Sequence, residues 1–205
     1  MQNKHKLFLE KLQNADFFTF KFVESKVGKN YSKLLVHNLK KNGKIVELAK
    51  GIYTFKKSPY MLVKALPKSY VGLGSAAFLH NAWEQATKIT ILSPYVSYKI
   101  KAGEREIAGF KVILRKISEK MFFGYELKFL EDINGWIRVS DVEKTFIDLI
   151  YLNYPFKEEI LPNLLEISDI KKIKKYIALI RKRNVKGWKK IMDEVDLRLK
   201  NFKGT

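Results

Sequence analysis

The part of this sequence best suited to bind a ligand is a set of basic and polar residues on one face of a predicted helix. The spacing predicts a helix over about Tyr31 to Asn42, with Leu35, Val36 and Leu39 on one apolar stripe. The outward residues are predicted to be Ser32, Lys33, His37, Lys40 and Lys41. Because an α-helix fits the major groove of B-DNA, this face predicts contact with double-stranded DNA.

Residues in and around that helix are predicted to divide between base contacts and phosphate contacts. A recognition helix enters the groove with its N-terminus first, so its first residues and one a turn later would meet base edges. These are Tyr31, Ser32, Lys33 and His37. Lysine binds phosphate as a point charge, the role predicted for Lys29, Lys40, Lys41, Lys50, Lys56 and Lys57. The alternative is a solvated lysine face on a domain that contacts only protein.

Two helices and a hairpin must position this helix. Leucines near the N-terminus predict a first helix, Thr19 can cap a second one, and Gly28 can stop it. Gly43 is predicted to follow the last residue of the third helix. Two strand-like segments come next, Lys44 to Leu48 and Gly51 to Phe55, with Gly51 supplying the positive φ of a tight turn. This order predicts a winged helix-turn-helix domain over residues 1–60.

The rest of the chain has a different texture, which predicts an α+β protein overall. A linker is predicted from Lys56 to Pro67, followed by a buried helix over Ser69 to Trp83. Strand-like segments then predict a small sheet within a mixed α/β domain over residues 61–170: 89–92, 110–114, 125–129 and 137–139. Ser140 and Glu143 have the spacing of a capping box that would open a further helix.

The positive charge of the chain is concentrated at its two ends. The formal net charge is +19, and the distribution is +9 over residues 1–60, 0 over 61–170 and +10 over 171–205. Two amphipathic helices are predicted at the C-terminal end, Ile170 to Arg183 and Trp188 to Phe202, packed on the second domain. Their lysines could extend a DNA footprint, dock an acidic protein or an RNA, or form a solvated face.

Several classes of protein are disfavoured by the composition. The chain has no cysteine, so disulfides, thiol nucleophiles and thiolate zinc sites are excluded. No apolar stretch is long enough to predict a membrane span, and no secretion signal is visible at the N-terminus, so a cytoplasmic protein is expected. The three histidines form no ligand motif, and Gly72 and Gly74 are a weak match to a dinucleotide loop, so neither metal nor cofactor is expected.

One catalytic alternative is a metal-dependent nuclease. Glu126 and Lys128 have the acid-x-lysine spacing of restriction-type nucleases, and Glu104 or Glu106 could complete a metal site. The same triplet spacing is expected about 3.5 times by chance in a chain this rich in lysine, and it occurs three times. The two upstream glutamates are also predicted to fall in a turn, so we do not expect an enzyme.

The middle of the chain resembles the AbiEi family of antitoxins, which are also described as predicted transcriptional regulators of viral defence. The resemblance covers about residues 15 to 155. It rests on the series from Gly74 to His80, on 83–85 and 89–92, on Lys50 to Tyr53 at the hairpin and above all on Val139 to Leu149. Lys144 is a departure, because the family typically has arginine there.

The resemblance implies an abortive-infection antitoxin that works at two levels. It implies a repressor that binds inverted repeats in its own promoter through an N-terminal winged helix-turn-helix. It also implies that the α/β antitoxin domain counters a nucleotidyltransferase toxin encoded beside it. It transfers no catalytic residue, and it leaves open the operator, the oligomeric state and whether a toxin is contacted directly. A protein-interaction adaptor that binds no nucleic acid remains the other alternative.

Overall fold

The computed structural model describes residues 2–85, 88–96 and 100–203 of the chain. Its helices are α1 (Gln2–Asn14), α2 (Phe20–Val27), α3 (Lys29–Lys41), α4 (Met61–Ala65), α5 (Leu73–Leu79), α6 (Val142–Tyr151), α7 (Lys157–Glu166), α8 (Ile170–Lys182) and α9 (Trp188–Lys203). Its strands are β1 (Phe18–Thr19), β2 (Val46–Ala49), β3 (Ile52–Thr54), β4 (Tyr70–Val71), β5 (Ile89–Ser93), β6 (Gly103–Ile107), β7 (Phe110–Lys116), β8 (Tyr125–Leu130) and β9 (Gly135–Ser140). The chain is therefore a mixed α+β protein with helices at its C-terminal end, as the sequence predicts.

The caps of the N-terminal helices are those that the sequence predicts, although α3 begins at Lys29, two residues before the expected Tyr31. The Thr19 hydroxyl caps α2 by accepting a hydrogen bond from the Phe22 N–H at 3.1 Å. Gly28 ends α2 with φ of 82°, a conformation that favours glycine. After α3, Gly43 has φ of 60°, and the N–H of Lys44 donates to the Leu39 carbonyl in a Schellman arrangement.

A three-stranded sheet packs on these helices. Strands β2 and β3 form the predicted antiparallel hairpin, with an irregularity between Glu47 and Ala49 and with Gly51 at a φ of 75°. The two-residue strand β1, which the sequence did not predict, pairs with β3 on its other side. One cluster of buried residues holds the helices and this sheet together: Leu12, Phe18, Val23, Val36, Leu39, Ile45 and Tyr53.

The second sheet has six strands in the order β6-β7-β5-β4-β9-β8. β4 is central, antiparallel to β5 and parallel to β9. Neighbouring residues of β4 serve two cores, because side chains alternate between the faces of a strand. Tyr70 belongs to the core built by α6 to α9, whereas Val71 belongs to a core shared with α4.

The predicted linker is wrong for the residues of α4. Met61 and Leu62 are fully buried, and they pack in the same core as Leu48 of β2 and Val71 of β4. Burial of an apolar side chain stabilises a fold by about 1.5–3 kcal/mol, so this segment acts as core material. It docks the N-terminal helices and hairpin on the six-stranded sheet.

Three further boundaries differ from the sequence-based expectation. The segment Ser69 to Trp83 is not one helix, because β4 comes first and α5 covers only Leu73–Leu79. The predicted capping box does not form, because the N-cap is Asp141, one residue later, which accepts from the Lys144 N–H at 2.8 Å. Ser140 is buried instead, and its hydroxyl pairs with that of Thr145. Helix α7, which contains Pro162, was not predicted.

Candidate nucleic-acid interface

Helix α3 carries an exposed face opposite its buried stripe. Ser32, Val36 and Leu39 are its buried residues. The positions that point the other way at helical spacing are exposed, and they are Asn30, Leu34, His37 and Lys41. Lys33 is also exposed and flanks this row. The face is therefore open to solvent along the length of the helix.

Ser32 is a correction to the predicted base-contacting set. Its side chain is 0% exposed, and its hydroxyl donates to the Lys29 carbonyl at 2.8 Å. The reason is helical phase: residues 32, 36 and 39 follow the i, i+4, i+7 spacing of one stripe. A residue on that stripe faces the domain core, so Ser32 cannot meet a base edge in this arrangement.

Lys40 was predicted to contact phosphate, but the structure pairs it with the hairpin. Its ammonium donates to the Glu47 carboxylate on β2, and this hydrogen bond raises the pKa of Lys40. Glu47 also accepts from the Gly51 N–H at 3.2 Å. The pair thereby ties the end of α3 to the turn of the hairpin, and Lys40 is less available to a duplex than its neighbours.

Lys56 is likewise engaged within the protein. It lies 2.8 Å from one oxygen of Asp16, and Lys64 of α4 lies 2.8 Å from the other. Burial opposes ionisation of Asp16, but the hydrogen bonds from these two lysines outweigh it and lower its pKa. Lys56 therefore helps to hold the hairpin exit against α4, a role that the sequence alone does not indicate.

Six of the predicted contact residues remain available to a ligand. Within the described part of the chain, no hydrogen bond or ion pair engages the exposed side chains of Lys29, Lys33, His37, Lys41, Lys50 and Lys57. Lys50 lies in the turn of the hairpin next to Gly51, whose N–H donates to Glu47, the partner of Lys40 on α3. Tyr31 is 39% exposed at the start of the helix.

Sequence reasoning missed three exposed residues on α3: Asn30, Leu34 and Asn38. Leu34 is 55% exposed, and Asn30 and Asn38 lie one helical turn before and after it. Asparagine can bond adenine in a bidentate manner, and an apolar side chain can contact the thymine methyl group. The signal that could have found them is the phase of the buried stripe, which places residues 30 and 34 directly opposite residue 32.

The basic C-terminal helices divide into engaged and exposed cations. Lys172 lies 2.7 Å from Glu143, and Arg198 lies 2.6 Å from Glu158. Arg183 lies over the Phe123 ring at 5.2 Å from its centroid. Helices α8 and α9 pack in the core of α6 and α7, whereas α3 packs in the separate core of the N-terminal segment, so their remaining lysines are not included in the candidate interface.

The strongest part of the family resemblance forms a buried ionic cluster. Lys144 of α6 is fully buried and donates to Asp148 one turn later, and the Tyr70 hydroxyl donates to the same carboxylate at 2.8 Å. Burial lowers the pKa of Lys144 and raises the pKa values of Asp148 and Tyr70. These residues join α6 to the central strand β4. They therefore stabilise the fold, and their burial keeps them from contacting a partner molecule.

The proposed nuclease constellation is not assembled. Glu126 and Lys128 lie on β8, whereas Glu104 and Glu106 lie on β6, which is a strand and not the predicted turn. These strands form opposite edges of the six-stranded sheet. Five strand spacings of about 4.8 Å separate them, so they cannot share a metal ion. Across the described ranges no cluster of three histidine or acidic residues could hold one.

Comparison with known proteins adds no relative. No protein-family model matches the chain, and no curated protein matches it significantly. Among the helices of the described residues, none is both long and apolar enough to cross a membrane.

Proposed function

We propose that the chain is a transcriptional regulator that binds double-stranded DNA through α3. The observation that carries this proposal is the open face of α3, where Lys33, His37 and Lys41 have no partner within the described residues. An unpaired, solvent-exposed cation can exchange its counterions for a phosphate at little cost. The surrounding segment, residues 1–60, carries a charge of +9, which strengthens the attraction to a polyanion.

The arrangement of elements supports a winged helix-turn-helix as the binding unit. Helix α2 passes into α3 through Gly28 alone, and the β2–β3 hairpin follows with Lys50 in its turn. In this architecture the second helix of the pair enters the major groove while the hairpin follows the neighbouring backbone. Asn30, Lys33, Leu34 and His37 are the proposed base contacts, and Lys29, Lys41, Lys50 and Lys57 are the proposed phosphate contacts.

Binding to the DNA upstream of the chain's own gene tests the proposal. We expect tighter binding to that duplex than to a shuffled one, by at least about 10³-fold at physiological salt, measured by fluorescence anisotropy. Lys41→Ala should weaken binding to both duplexes alike and reduce the salt slope by about 0.9. Leu34→Ala should instead reduce the preference between them, because it alters a base contact.

Lys111→Ala is the matched control, because Lys111 is an exposed lysine on β7 in the electrically neutral middle of the chain. This variant should change neither affinity nor preference. Equal affinity for the two duplexes would contradict a sequence-specific regulator. Absence of binding even at low salt would favour the adaptor, which contacts only protein.

The resemblance to AbiEi antitoxins extends the proposal to a second activity. In this extension the regulator represses its own promoter at inverted repeats, and the domain around the six-stranded sheet neutralises a nucleotidyltransferase toxin encoded beside it. Its support is the pattern of residues 139–149, with Lys144 as the departure. Co-expression with a neighbouring nucleotidyltransferase should relieve growth arrest, and the absence of relief would remove this part while leaving DNA binding intact.

A further inference from the structure

The two edge strands of the six-stranded sheet expose different kinds of side chain. The edge strand β6 exposes charged residues, Glu104 and Glu106 among them, and charges on an edge discourage pairing with another strand. The opposite edge strand, β8, exposes a row of large apolar side chains at every second position. Tyr125, Leu127 and Phe129 are 42%, 63% and 44% exposed, and Trp136 beside Phe129 on β9 is 57% exposed.

The backbone of β8 presents the same three residues to solvent. The Asp141 N–H donates to the Gly124 carbonyl, so residues 124 and 141 form a hydrogen-bonded pair of the β8–β9 ladder. Such pairs alternate along an antiparallel ladder, which makes 126, 128 and 130 the inward-bonded residues of β8. The N–H and C=O groups of Tyr125, Leu127 and Phe129 therefore point outward, where another strand could bond them.

The charges on the other face of β8 select one way for two copies to pair. When two β8 strands pair in antiparallel orientation, the residues whose N–H and C=O groups point away from β9 must lie opposite one another. This condition leaves three registers near the middle of the strand. One places Glu126 opposite Glu126 of the second copy, and another places Lys128 opposite Lys128. Only the register centred on Leu127 sets Glu126 opposite Lys128 twice, and it also gives the longest overlap.

We propose that two copies of the chain associate through their β8 strands, in antiparallel register about a two-fold axis at Leu127. The two six-stranded sheets then join into one. Tyr125 of each copy packs against Phe129 of the other, and the two Leu127 side chains meet at the axis. This inference does not depend on DNA binding.

The contacts of Glu126 and Lys128 within one chain leave room for this pairing. The Lys128 ammonium donates to the Leu79 carbonyl, which occupies one of its three N–H groups. The Glu126 carboxylate is half exposed and lies 4.0 Å from Nδ1 of His80. Because the paired edge is only six residues long, we expect association in the micromolar range.

Sedimentation velocity of the full chain, at about 2 to 200 µM and about 0.3 M salt, tests the association. We expect wild type to shift from monomer to dimer over this range. Leu127→Pro should keep the chain monomeric, because it removes the two central N–H donors while sparing the β9 ladder. Leu127→Thr keeps the N–H and should weaken the dimer less, so the pair separates backbone pairing from apolar contact.

A disulfide test locates the contact. The chain has no cysteine, so Leu127→Cys provides one thiol per chain. Residues directly opposite in a hydrogen-bonded pair are about 5.5 Å apart at Cα, which suits a disulfide. Mild oxidation should yield covalent dimer as the main product. Leu197→Cys, at an equally exposed position on α9, should yield little.

Exchanging the charges of Glu126 and Lys128 distinguishes a dimer with a defined register from non-specific association. Glu126→Lys and Lys128→Glu should each weaken association, by about tenfold or more, because each sets like charges opposite one another. The double exchange should restore it. A wild-type chain that stays monomeric throughout, or equal crosslinking of the two cysteine variants, would overturn the proposal. These outcomes are independent of any result with DNA.

Discussion

Lysine is used in opposite ways by α3 and by α6. On α3, Lys33 and Lys41 extend into solvent, without a partner among the described residues. On α6, Lys144 is 0% exposed and is enclosed by Asp148 and Tyr70. An exposed cation keeps its hydration and can exchange counterions for a ligand, whereas a buried one has lost its hydration and depends on its partners.

This contrast teaches that the residue type does not determine the role of a charge in this chain. The burial of each lysine determines its role, because burial sets the free-energy cost of removing the group that is paired with it. Loss of a partner in the α6 cluster should therefore appear in stability, and loss of a cation from α3 should appear in binding. The predictions below separate the two, beginning with the largest expected effect.

The buried cluster offers the strongest test. Asp148→Ala leaves the Lys144 ammonium without its carboxylate and should lower the free energy of unfolding by about 3–5 kcal/mol. Urea unfolding followed by circular dichroism measures this. The control is the triple variant Tyr70→Phe, Lys144→Met and Asp148→Leu, which removes every polar group of the cluster and should recover stability to within about 2 kcal/mol of wild type.

A loss of less than about 1 kcal/mol in Asp148→Ala would break the comparison, because it would mean that Lys144 reaches water when its partner is gone. Under conditions where the variant is folded, its affinity for DNA should equal that of wild type. A reduced affinity of the folded variant would show that the cluster is not confined to stabilising the fold.

Reversing charge on α3 should have the opposite pattern of effects, with a loss of DNA binding and little change in stability. Lys33→Glu combined with Lys41→Glu should weaken DNA binding at least tenfold, which corresponds to about 1.4 kcal/mol. The free energy of unfolding should change by less than about 0.5 kcal/mol, because both side chains are exposed and away from buried features. Anisotropy and urea unfolding on the same preparation measure the two. A large loss of stability would contradict the assignment of these lysines to binding.

The positions of single elements could be predicted from local sequence, because the signals are local. Thr19, Gly28, Gly43 and Gly51 act within a few residues, and each has the predicted role. Ser32 shows the limit of this reasoning. The predicted stripe of Leu35, Val36 and Leu39 has the observed phase, but it was not extended one turn back, so Ser32 was assigned to the outward face although it lies four residues before Val36.

Pairings between distant segments could not be predicted, since the sequence contains no record of them. Lys144 and Tyr70 are 74 residues apart, and Lys56 and Asp16 are 40 apart. The order of strands in the six-stranded sheet likewise separates Glu104 from Glu126, which no spacing along the chain indicates. For the candidate site, local phase predicted the helix and its charge, whereas tertiary contacts decided which cations are available.

Lys172 is intermediate between the two cases, and its partner Glu143 gives a prediction for pH. Burial opposes ionisation of Glu143, but the Lys172 ammonium at 2.7 Å and the Asp169 N–H at 2.9 Å outweigh it and lower the pKa of Glu143. A carboxyl with a lowered folded pKa contributes stability above its unfolded pKa of about 4.3 and loses it as pH falls through the folded value.

Glu143→Gln should therefore cost about 1 kcal/mol at pH 7, and the difference from wild type should shrink as the pH falls below about 4. Urea unfolding at a series of pH values measures this. We expect an effect smaller than that of Asp148→Ala because Lys172 is 38% exposed and water screens its attraction. A difference that stays constant down to pH 3 would mean that the loss comes from packing and not from charge.

The smallest effect is expected where the two uses of lysine meet, at the pair between Lys40 and Glu47. Because both side chains are partly exposed, Glu47→Gln should change the free energy of unfolding by less than about 0.5 kcal/mol. The amide oxygen can still accept from the Gly51 N–H, so the hairpin turn is kept. Lys40 is then released beside Lys41, and the salt slope of DNA binding should steepen by about 0.9.

Glu10→Gln is the control for this last experiment, because it removes one exposed negative charge of the same N-terminal segment without releasing a lysine. If both variants tighten DNA binding equally, net charge alone accounts for the effect and Lys40 makes no contact. If only Glu47→Gln steepens the slope, Lys40 can contact a phosphate, and its ion pair with Glu47 prevents that contact in the wild type. An exposed lysine then differs from a buried one in what its partner controls: the partner limits binding on α3 and secures the fold on α6.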